Sequence, residues 1–286
     1  MRTARLLKWP GGKRLVAERI RRIYDAPPPR RYVEVCCGGT AVFQHRRAMG
    51  ELSGRAVVLV DVEPRLMAFY RAVQCRSHDL LTAMDRLPWD ESWRVAYDVE
   101  RTRFSAWTPA ADEVAEPEDA ARMLWVNRAC FNGLYRVSST GAFNTPAGSY
   151  KELQRPSRVD VLDFAESLVG VELVTASADT YIEANVGEGD QLYGDPPYHQ
   201  AFDLYTKERF PWSMHVVLAQ ASAVAHQRGA HLVMSNSCTP EVVQLYLGLG
   251  FDLRGLSTNR SIGASADTRK KEREVLIIGR PGQATS

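Results

Sequence analysis

The sequence lacks the paired cysteines of a disulfide-stabilised protein. Its five cysteines are odd in number and form no Cys-x-x-Cys pair, and its six histidines show no metal-ligand spacing. Cys36 and Cys37 are adjacent, whereas Cys75, Cys130 and Cys238 are scattered. We therefore expect reduced, mostly buried thiols and no metal site.

Long apolar runs are missing as well. No run of about 18 apolar residues is present, so we expect no transmembrane helix. The segment Met1–Lys8 lacks the apolar stretch of a signal peptide, which favours a cytoplasmic protein. The 286 residues, 45% of them hydrophobic, can form one large α/β domain or a domain with an inserted lobe.

The chain carries little net charge, only +2, but its basic residues are unevenly distributed. The segment Trp125–Asp160 contains five Arg or Lys and two Asp or Glu, and the segment Arg254–Arg280 contains seven Arg or Lys and three Asp or Glu. Two basic stretches in a nearly neutral protein indicate a charged face, although solvated surface is the alternative for either one alone.

The first half begins like a nucleotide-binding α/β fold. A strand at Tyr32–Cys37 leads through a glycine turn into a helix near Ala41–Phe43. The next strand, Ala56–Val60, ends at Asp61, an acid placed to bond ribose hydroxyls or, alternatively, to cap a helix starting near Pro64.

A glycine loop, Lys8–Lys13, precedes an amphipathic helix at Arg14–Tyr24. Backbone amides of such a loop, with Lys13 nearby, suit a carboxylate or phosphate. A solvated lysine after a turn is the alternative.

Strand–helix alternation stops between about Arg71 and Pro156. Helical patterns at 80–87, 92–104 and 118–131 lead into a turn-rich, hairpin-like loop. We interpret 71–156 as an inserted lobe and 1–70 with 157–286 as the other domain. Polar and aromatic groups of the lobe can meet base edges and phosphates; they are Arg128, Asn132, Arg136, Asn144 and Tyr150.

Alternation then returns. Helices are predicted at 160–168, 212–227 and 240–247, and strands at 171–177, 191–195, 231–235, 251–257 and 274–278. Asp179 follows the first of these strands. A basic loop, Arg260–Lys271, separates the last two strands, and we expect it to bind phosphates.

The stretch Asp195-Pro196-Pro197-Tyr198 leaves the carboxyl edge of the predicted sheet as a rigid segment, because proline fixes φ and carries no N–H. Asp195 and the Pro196 carbonyl can each accept a hydrogen from an exocyclic amine, while Tyr198 stacks on the base. A polar turn with a packed tyrosine is the alternative.

Taken in order, these motifs resemble the DNA adenine-N6 methyltransferases of the Dam type over almost the whole chain. The most specific portions are Asp195–Tyr198, Asn127–Arg136 and Thr268–Lys271. The resemblance implies a Rossmann-like methyltransferase sheet with an inserted, mainly helical DNA-recognition lobe.

It also implies the chemistry: transfer of a methyl group from S-adenosylmethionine to N6 of a flipped adenine in double-stranded DNA, with GATC as the expected target. We expect a monomer in a bacterium or a phage-infected cell, and a cognate restriction endonuclease is one conceivable partner.

Matching positions suggest the site residues. Asp195, Pro196 and Tyr198 match the catalytic group. Cofactor contacts are expected at Trp9, Lys13, Gly38, Asp61, Asp179 and Asp195. The DNA contacts that match the family's recognition hairpin are Phe131, Asn132, Arg136, Pro146 and Tyr150. Further DNA contacts are expected from the polar groups of the lobe and from the basic loop, at Arg128, Asn144, Arg260, Arg269, Lys270 and Lys271.

Two departures from the family pattern weaken inferences about cofactor affinity and target sequence. Thr40 replaces a turn glycine, and we expect Gly39 to compensate by taking the positive φ. Ala147 stands where an aromatic often follows the Pro146 position. Two alternatives stay open: cytosine-N4 methylation, and a catalytically weakened, sequence-specific DNA-binding protein.

Overall fold

A computed structural model describes residues 5–24, 28–199, 210–257 and 273–282. Seven strands and ten α-helices form there, with a 3-10 turn at Phe131–Gly133. The strands are β1 (Arg31–Val35), β2 (Ala56–Asp61), β3 (Val171–Thr175), β4 (Asp190–Gly194), β5 (His231–Ser237), β6 (Asp252–Ser257) and β7 (Arg273–Gly279). The helices are α1 (Ala17–Arg21), α2 (Ala41–Ala48), α3 (Pro64–Cys75), α4 (Ser77–Met84), α5 (Trp93–Ala106), α6 (Pro117–Ala129), α7 (Arg158–Ser167), α8 (Ala178–Asn185), α9 (Trp212–Gln227) and α10 (Pro240–Gly248).

The strands form a mixed sheet in the order β3-β2-β1-β4-β5-β7-β6. β1 pairs in parallel with both β2 and β4, and β5 pairs antiparallel with β7. Because the chain leaves β1 toward β2 and returns much later on the other side as β4, the strand order reverses between β1 and β4. Open α/β folds bind ligands at the carboxyl ends of the strands at such a reversal. The predicted α/β class is confirmed.

The described chain divides into two compact units. The first comprises 1–14, 38–53 and 61–175, and the second comprises 15–37, 54–60 and 176–286, as far as these ranges are described. Helix α6 lies at the centre of the first unit, where Trp125 is fully buried and donates through Nε1 to the Pro88 carbonyl at 2.7 Å. Burial of such aromatic side chains is the main stabilising contribution to this unit.

The core of the second unit is formed by the central strands. Strand β4 is buried along its whole length, as expected for a parallel strand covered on both faces. Tyr193 in β4 is buried with its hydroxyl 2.9 Å from Ser235 Oγ, which satisfies the polar end of the ring.

The segment 71–156 lies within the first unit and contributes α4, α5 and α6 but no named strand among the described residues. The predicted domain boundaries stay a prediction, since the first unit also includes residues on both sides of this segment.

Helix α8 was not among the predicted elements. The helix is eight residues long, and its buried side chains are Ala178, Tyr181 and Ile182. Three apolar positions over two turns are too few to show a helical periodicity in the sequence. Asp179 therefore lies in the first turn of a helix.

The cysteine prediction holds only in part. All five are free thiols, but Cys75 and Cys238 are exposed and Cys36 is half-buried, so most are not buried. Among the described residues, no group of three or more His, Cys, Asp or Glu side chains could hold a metal ion. None of the described helices has the length and apolar character needed to cross a membrane.

Candidate active site

The N-terminal loop carries two predicted cofactor contacts, Trp9 and Lys13. The Trp9 ring stacks on Tyr135, with 5.2 Å between the ring centroids and 26° between the planes. Lys13 is only 5% exposed, and its Nζ donates to the Gly11 carbonyl at 2.9 Å. Lys13 is thus held inside the loop, which argues against the alternative of a solvated lysine.

The glycine turn after β1 packs directly beneath Trp9. Gly38 adopts φ +43°, and a Cβ built on it would lie 2.7 Å from Cδ1 and Nε1 of the indole. Real side chains do not tolerate so short a contact, so glycine is required at this position for two reasons, backbone conformation and space. The Tyr70 hydroxyl donates to the Gly38 carbonyl and fixes the other side of the turn.

Asp61 holds the same turn from the end of β2. Its Oδ2 accepts from the Gly38 amide at 2.9 Å, and its Oδ1 accepts from the Glu63 amide at 3.0 Å. Burial raises the pKa of Asp61, while the backbone hydrogen bonds oppose this shift. The helix α3 is capped by Glu63, whose side chain accepts from the Arg65 amide at 3.3 Å, so the alternative role of Asp61 as the cap is wrong.

The expectation that Gly39 takes the positive φ in place of Thr40 is also wrong. Thr40 itself adopts φ 55°, whereas Gly39 is not among the residues with positive φ. A β-branched residue in this region is strained, because its Cβ crowds the backbone. Thr40 is fully buried, and its Oγ1 has no hydrogen-bond partner within the described residues.

The four residues of the first unit fit S-adenosylmethionine in their chemistry. Asp61 offers a buried carboxylate of the type that binds a ribose diol, Lys13 a cation for a carboxylate, and Trp9 a flat apolar surface. The absence of a side chain on Gly38 lets the Trp9 indole lie directly against the glycine turn. Asp179, the fifth predicted contact, is half-buried in the first turn of α8 in the second unit.

In the second unit, Asp195-Pro196-Pro197-Tyr198 follows β4 directly. The Asp195 amide donates to the Val35 carbonyl at 3.4 Å, which ties the start of the segment to the neighbouring strand β1. A Cβ on Gly194 would lie 2.8 Å from Met234 Cε and 3.2 Å from Val35 Cγ2. Tight packing before Asp195 and two prolines after it restrict where the carboxylate can point.

The Tyr198 ring is anchored by its hydroxyl, which donates to Oε2 of the buried Glu274 at 3.0 Å. The next residue is anchored too, because the His199 amide donates to Oδ1 of the buried Asn236 at 3.1 Å. Sequence reasoning missed Glu274 and Asn236. Glu274 is the first residue of one predicted strand and Asn236 directly follows another, and a polar residue at a strand position without an assigned partner was the available signal.

The predicted DNA-recognition residues lie mainly on a loop that is closed like a hairpin. Isolated bridges pair Cys130 with Ala147 and Val137 with Phe143, and the Phe131 amide donates to the Pro146 carbonyl at 2.9 Å. Phe131 is 43% exposed. Its neighbour Asn132 adopts φ 54° and is exposed.

Arg136 and Asn144 hold each other across this loop. Arg136 Nε donates to Asn144 Oδ1 at 2.7 Å and Nη2 donates to the Asn144 carbonyl at 3.0 Å. The Asn144 amide in turn donates to the Arg136 carbonyl at 3.0 Å. The guanidinium is therefore oriented, and within the described residues no partner is recorded for its Nη1.

Arg128 and Tyr150 have partners within the protein. Arg128 donates through Nε to the Leu6 carbonyl at 2.8 Å, and burial together with Arg5 lowers its pKa to about 10. The Tyr150 hydroxyl donates to the Cys130 carbonyl at 3.1 Å, and Lys8 Nζ lies 4.0 Å from its ring centroid. Their DNA contacts stay predictions. Arg260, Arg269, Lys270 and Lys271 lie outside the described residues.

Comparison with known proteins identifies the family. The family model for D12 class N6 adenine-specific DNA methyltransferases matches residues 9–262. The chain belongs to that family. It is 33% identical over 282 residues to the DNA N-6-adenine-methyltransferase of Escherichia phage P1, covering 96% of this chain but only 35% of that protein.

Two further relatives match over nearly their whole length. The Type II methyltransferase M1.LlaDCHI of Lactococcus lactis subsp. cremoris is 30% identical over 94% of this chain and 93% of its own. The DNA adenine methylase of Vibrio cholerae is 29% identical over 96% of this chain and 95% of its own.

Membership of this D12 class family confirms three predictions. The protein is an adenine-specific DNA methyltransferase, its substrate is DNA, and S-adenosylmethionine is the methyl donor. Cytosine-N4 methylation is thereby contradicted, because the family is specific for adenine N6.

Proposed function

We propose that this D12 class enzyme methylates N6 of an adenine that is flipped out of duplex DNA, and that its target is GATC. The observation that carries the proposal is the rigid Asp195–Tyr198 segment at the reversal of strand order, anchored at Val35 and Glu274. A base stacked in the duplex cannot present N6 to a buried site, so flipping is required at a cost of a few kcal/mol.

Three groups of the segment act on the flipped base. Asp195 and the Pro196 carbonyl accept the two hydrogens of N6 and turn its lone pair away from the ring. The Tyr198 ring stacks on the adenine, which contributes about 1–3 kcal/mol and offsets part of the cost of flipping. Its hydrogen bond to Glu274 fixes the plane of the ring before the base arrives.

S-adenosylmethionine supplies an electrophilic methyl group. Trp9, Lys13, Gly38 and Asp61 of the first unit would bind it. Cofactor contacts of Asp179 and Asp195 stay predictions. Positioning of the amine accounts for most of the rate acceleration, and no covalent intermediate with the enzyme is needed.

On the DNA side, Phe131 is suited to fill the stack that the flipped base leaves, since the ring is exposed and its backbone is tied to Pro146. Arg136 reads guanine with its outer edge, because Asn144 occupies Nε and one hydrogen of Nη2. The remaining hydrogens on Nη1 and Nη2 match the paired acceptors O6 and N7 of guanine. Asn132, Pro146 and Tyr150 support this loop at the base edges, and Arg128 contributes charge near phosphates.

The basic loop with Arg260, Arg269, Lys270 and Lys271 would neutralise phosphates irrespective of sequence. A monomeric state, a cytoplasmic location and a cognate restriction endonuclease remain predictions.

The test is to express the protein in a host that lacks adenine methylation and to read N6-methyladenine positions by direct sequencing. We expect methylation at GATC with the wild-type chain and none with Asp195→Ala. The purified Asp195→Ala protein should still bind duplex DNA at low salt, because affinity comes mainly from phosphate contacts.

Dominant methylation outside GATC would refute the target assignment and leave the chemistry standing. Normal turnover by Asp195→Ala would refute the assigned role of the carboxylate.

A further inference from the structure

Tyr135 lies in the loop closed by the Cys130–Ala147 bridge, called the recognition loop below. It contacts two elements of the first unit that we propose to bind the cofactor, the loop with Trp9 and the one that begins at Asp61. It immediately precedes Arg136 in the chain. Its ring stacks on Trp9 of the N-terminal loop, at 5.2 Å between centroids. Its hydroxyl accepts from Arg65 Nη1 at 3.3 Å and lies beside the Glu63 carboxylate, so it also reaches the loop between β2 and α3 that begins at Asp61.

Arg65, which bonds to the Tyr135 hydroxyl, is itself held firmly in place. The side chain is 6% exposed and donates to the carbonyls of Trp107 at 2.6 Å, Ser105 at 3.1 Å and Gly141 at 3.3 Å. Gly141 is at the tip of the recognition loop. A buried guanidinium that donates to three backbone carbonyls as well as to the Tyr135 hydroxyl is costly to displace, because each lost bond leaves a buried polar group unsatisfied.

Asn127 restrains the other contact, between Trp9 and Tyr135, by bonding to both loops that carry these rings. Its Oδ1 accepts from the Lys8 amide at 2.7 Å, and its Nδ2 donates to the carbonyls of Lys8 at 2.8 Å and Gly133 at 3.3 Å. A Cβ on Gly133 would lie 2.1 Å from Lys8 Cβ, so the N-terminal loop and the recognition loop pack without free space. A shift of Trp9 is therefore transmitted to Gly133–Arg136.

We propose that Tyr135 is a positioning residue that couples cofactor binding at the Trp9 loop to guanine readout by Arg136. The proposal rests on the proposed function, in which Trp9 contacts the cofactor and Arg136 contacts DNA. Cofactor binding fixes the indole, the indole fixes the Tyr135 ring, and the ring fixes the backbone that carries Arg136. By thermodynamic linkage, DNA then tightens cofactor binding by the same factor.

The experiment measures a ratio. The Kd for an unmethylated duplex that contains the target site is determined with and without saturating S-adenosylhomocysteine, and the ratio of the two values is compared between variants. The target site is identified beforehand by sequencing. Wild type should bind at least about fivefold tighter with the ligand, within the usual range of allosteric coupling. The ratio should fall below about twofold in Tyr135→Leu, and Tyr135→Phe should lower it at least about twofold by removing the contacts to Glu63 and Arg65.

Tyr97 supplies matched control variants. It is buried in the same unit, and its hydroxyl donates to the Thr145 carbonyl at 2.9 Å, so it supports the recognition loop without touching either cofactor element. Tyr97→Phe and Tyr97→Leu should change the Kd for DNA but retain the wild-type ratio. The Kd for S-adenosylhomocysteine, measured with and without DNA, must give the same ratio in each protein.

A wild-type ratio of one, or an unchanged ratio in Tyr135→Leu, would overturn the proposal. If Tyr135→Leu does not fold, Tyr135→Phe decides, and an unchanged ratio in that variant overturns it. Failure of the proposed function is a separate result, since it would appear as absent or displaced methylation in the host before any ratio is measured.

Discussion

The Gly38 amide donates a hydrogen bond of 2.9 Å to Oδ2 of Asp61, a residue 23 positions later in the chain. The carboxylate that we propose for the cofactor ribose therefore also holds the glycine turn after β1. Loss of the Asp61 charge should lower cofactor affinity, whereas loss of its hydrogen bonds to the turn should lower stability. Two substitutions separate these effects.

Asp61→Ala removes the acceptors of both the Gly38 and the Glu63 amides, so we expect a loss of about 1–3 kcal/mol in the free energy of unfolding and of cofactor binding. Asp61→Asn keeps one oxygen for the turn and should lose cofactor affinity with a smaller loss of stability. Calorimetric titration with S-adenosylmethionine and denaturant unfolding measure the two quantities. Normal cofactor affinity in Asp61→Asn would contradict the role of the charge.

Thr40→Gly should stabilise the protein. The wild-type residue combines φ 55° with a buried hydroxyl that has no partner in the described part of the chain. Relief of this strain, about 1–3 kcal/mol, exceeds the entropic cost of glycine, so we expect a net gain of about 1 kcal/mol. Thr40→Val is the matched control, because it removes the hydroxyl but keeps the branched Cβ. Equal gains in both variants would show that the hydroxyl, and not the backbone, is the source of the cost.

Asn144→Ala should relax sequence discrimination without abolishing it. The substitution removes the Oδ1 acceptor of Arg136 Nε but leaves the Asn144 carbonyl to hold Nη2.

Arg136→Ala should cost about 1–3 kcal/mol on the target and raise relative activity at sites altered at one guanine. Initial rates on a panel of duplexes with single base changes measure both effects. Uniform weakening on all duplexes would indicate that Arg136 grips a phosphate.

His215 should make the stability of the second unit depend on pH. Burial, with His199 nearby, lowers the pKa of His215 to about 4 from the ordinary value of 6.5. Between these values the unfolded chain binds a proton that the folded chain does not, so stability falls as pH decreases from 6.5 toward 4.

His215→Asn removes this titration, and the stability difference between it and wild type should shrink as the pH is lowered. His78→Asn, at an exposed position, is measured in parallel as the control. Unfolding by urea at several pH values measures this, and a constant difference for His215→Asn would contradict the expectation.

Much of the fold was accessible from the sequence because the signals are local. Helix α9 begins and ends at the predicted residues, Trp212 and Gln227, and strand β2 occurs at the predicted position. Helix α8 was not accessible, since so short a helix is stabilised by tertiary packing and not by its own periodicity.

The sequence by itself determined the family and the order of the motifs, because these depend on residue type and spacing along the chain. Only the tertiary structure decided which groups hold these residues in place. It assigned the positive φ to Thr40 and not Gly39, capped α3 with Glu63 and not Asp61, and supplied Glu274 for Tyr198 and Tyr135 for Trp9. Contacts between residues far apart in the chain arise from packing, and no local pattern encodes them.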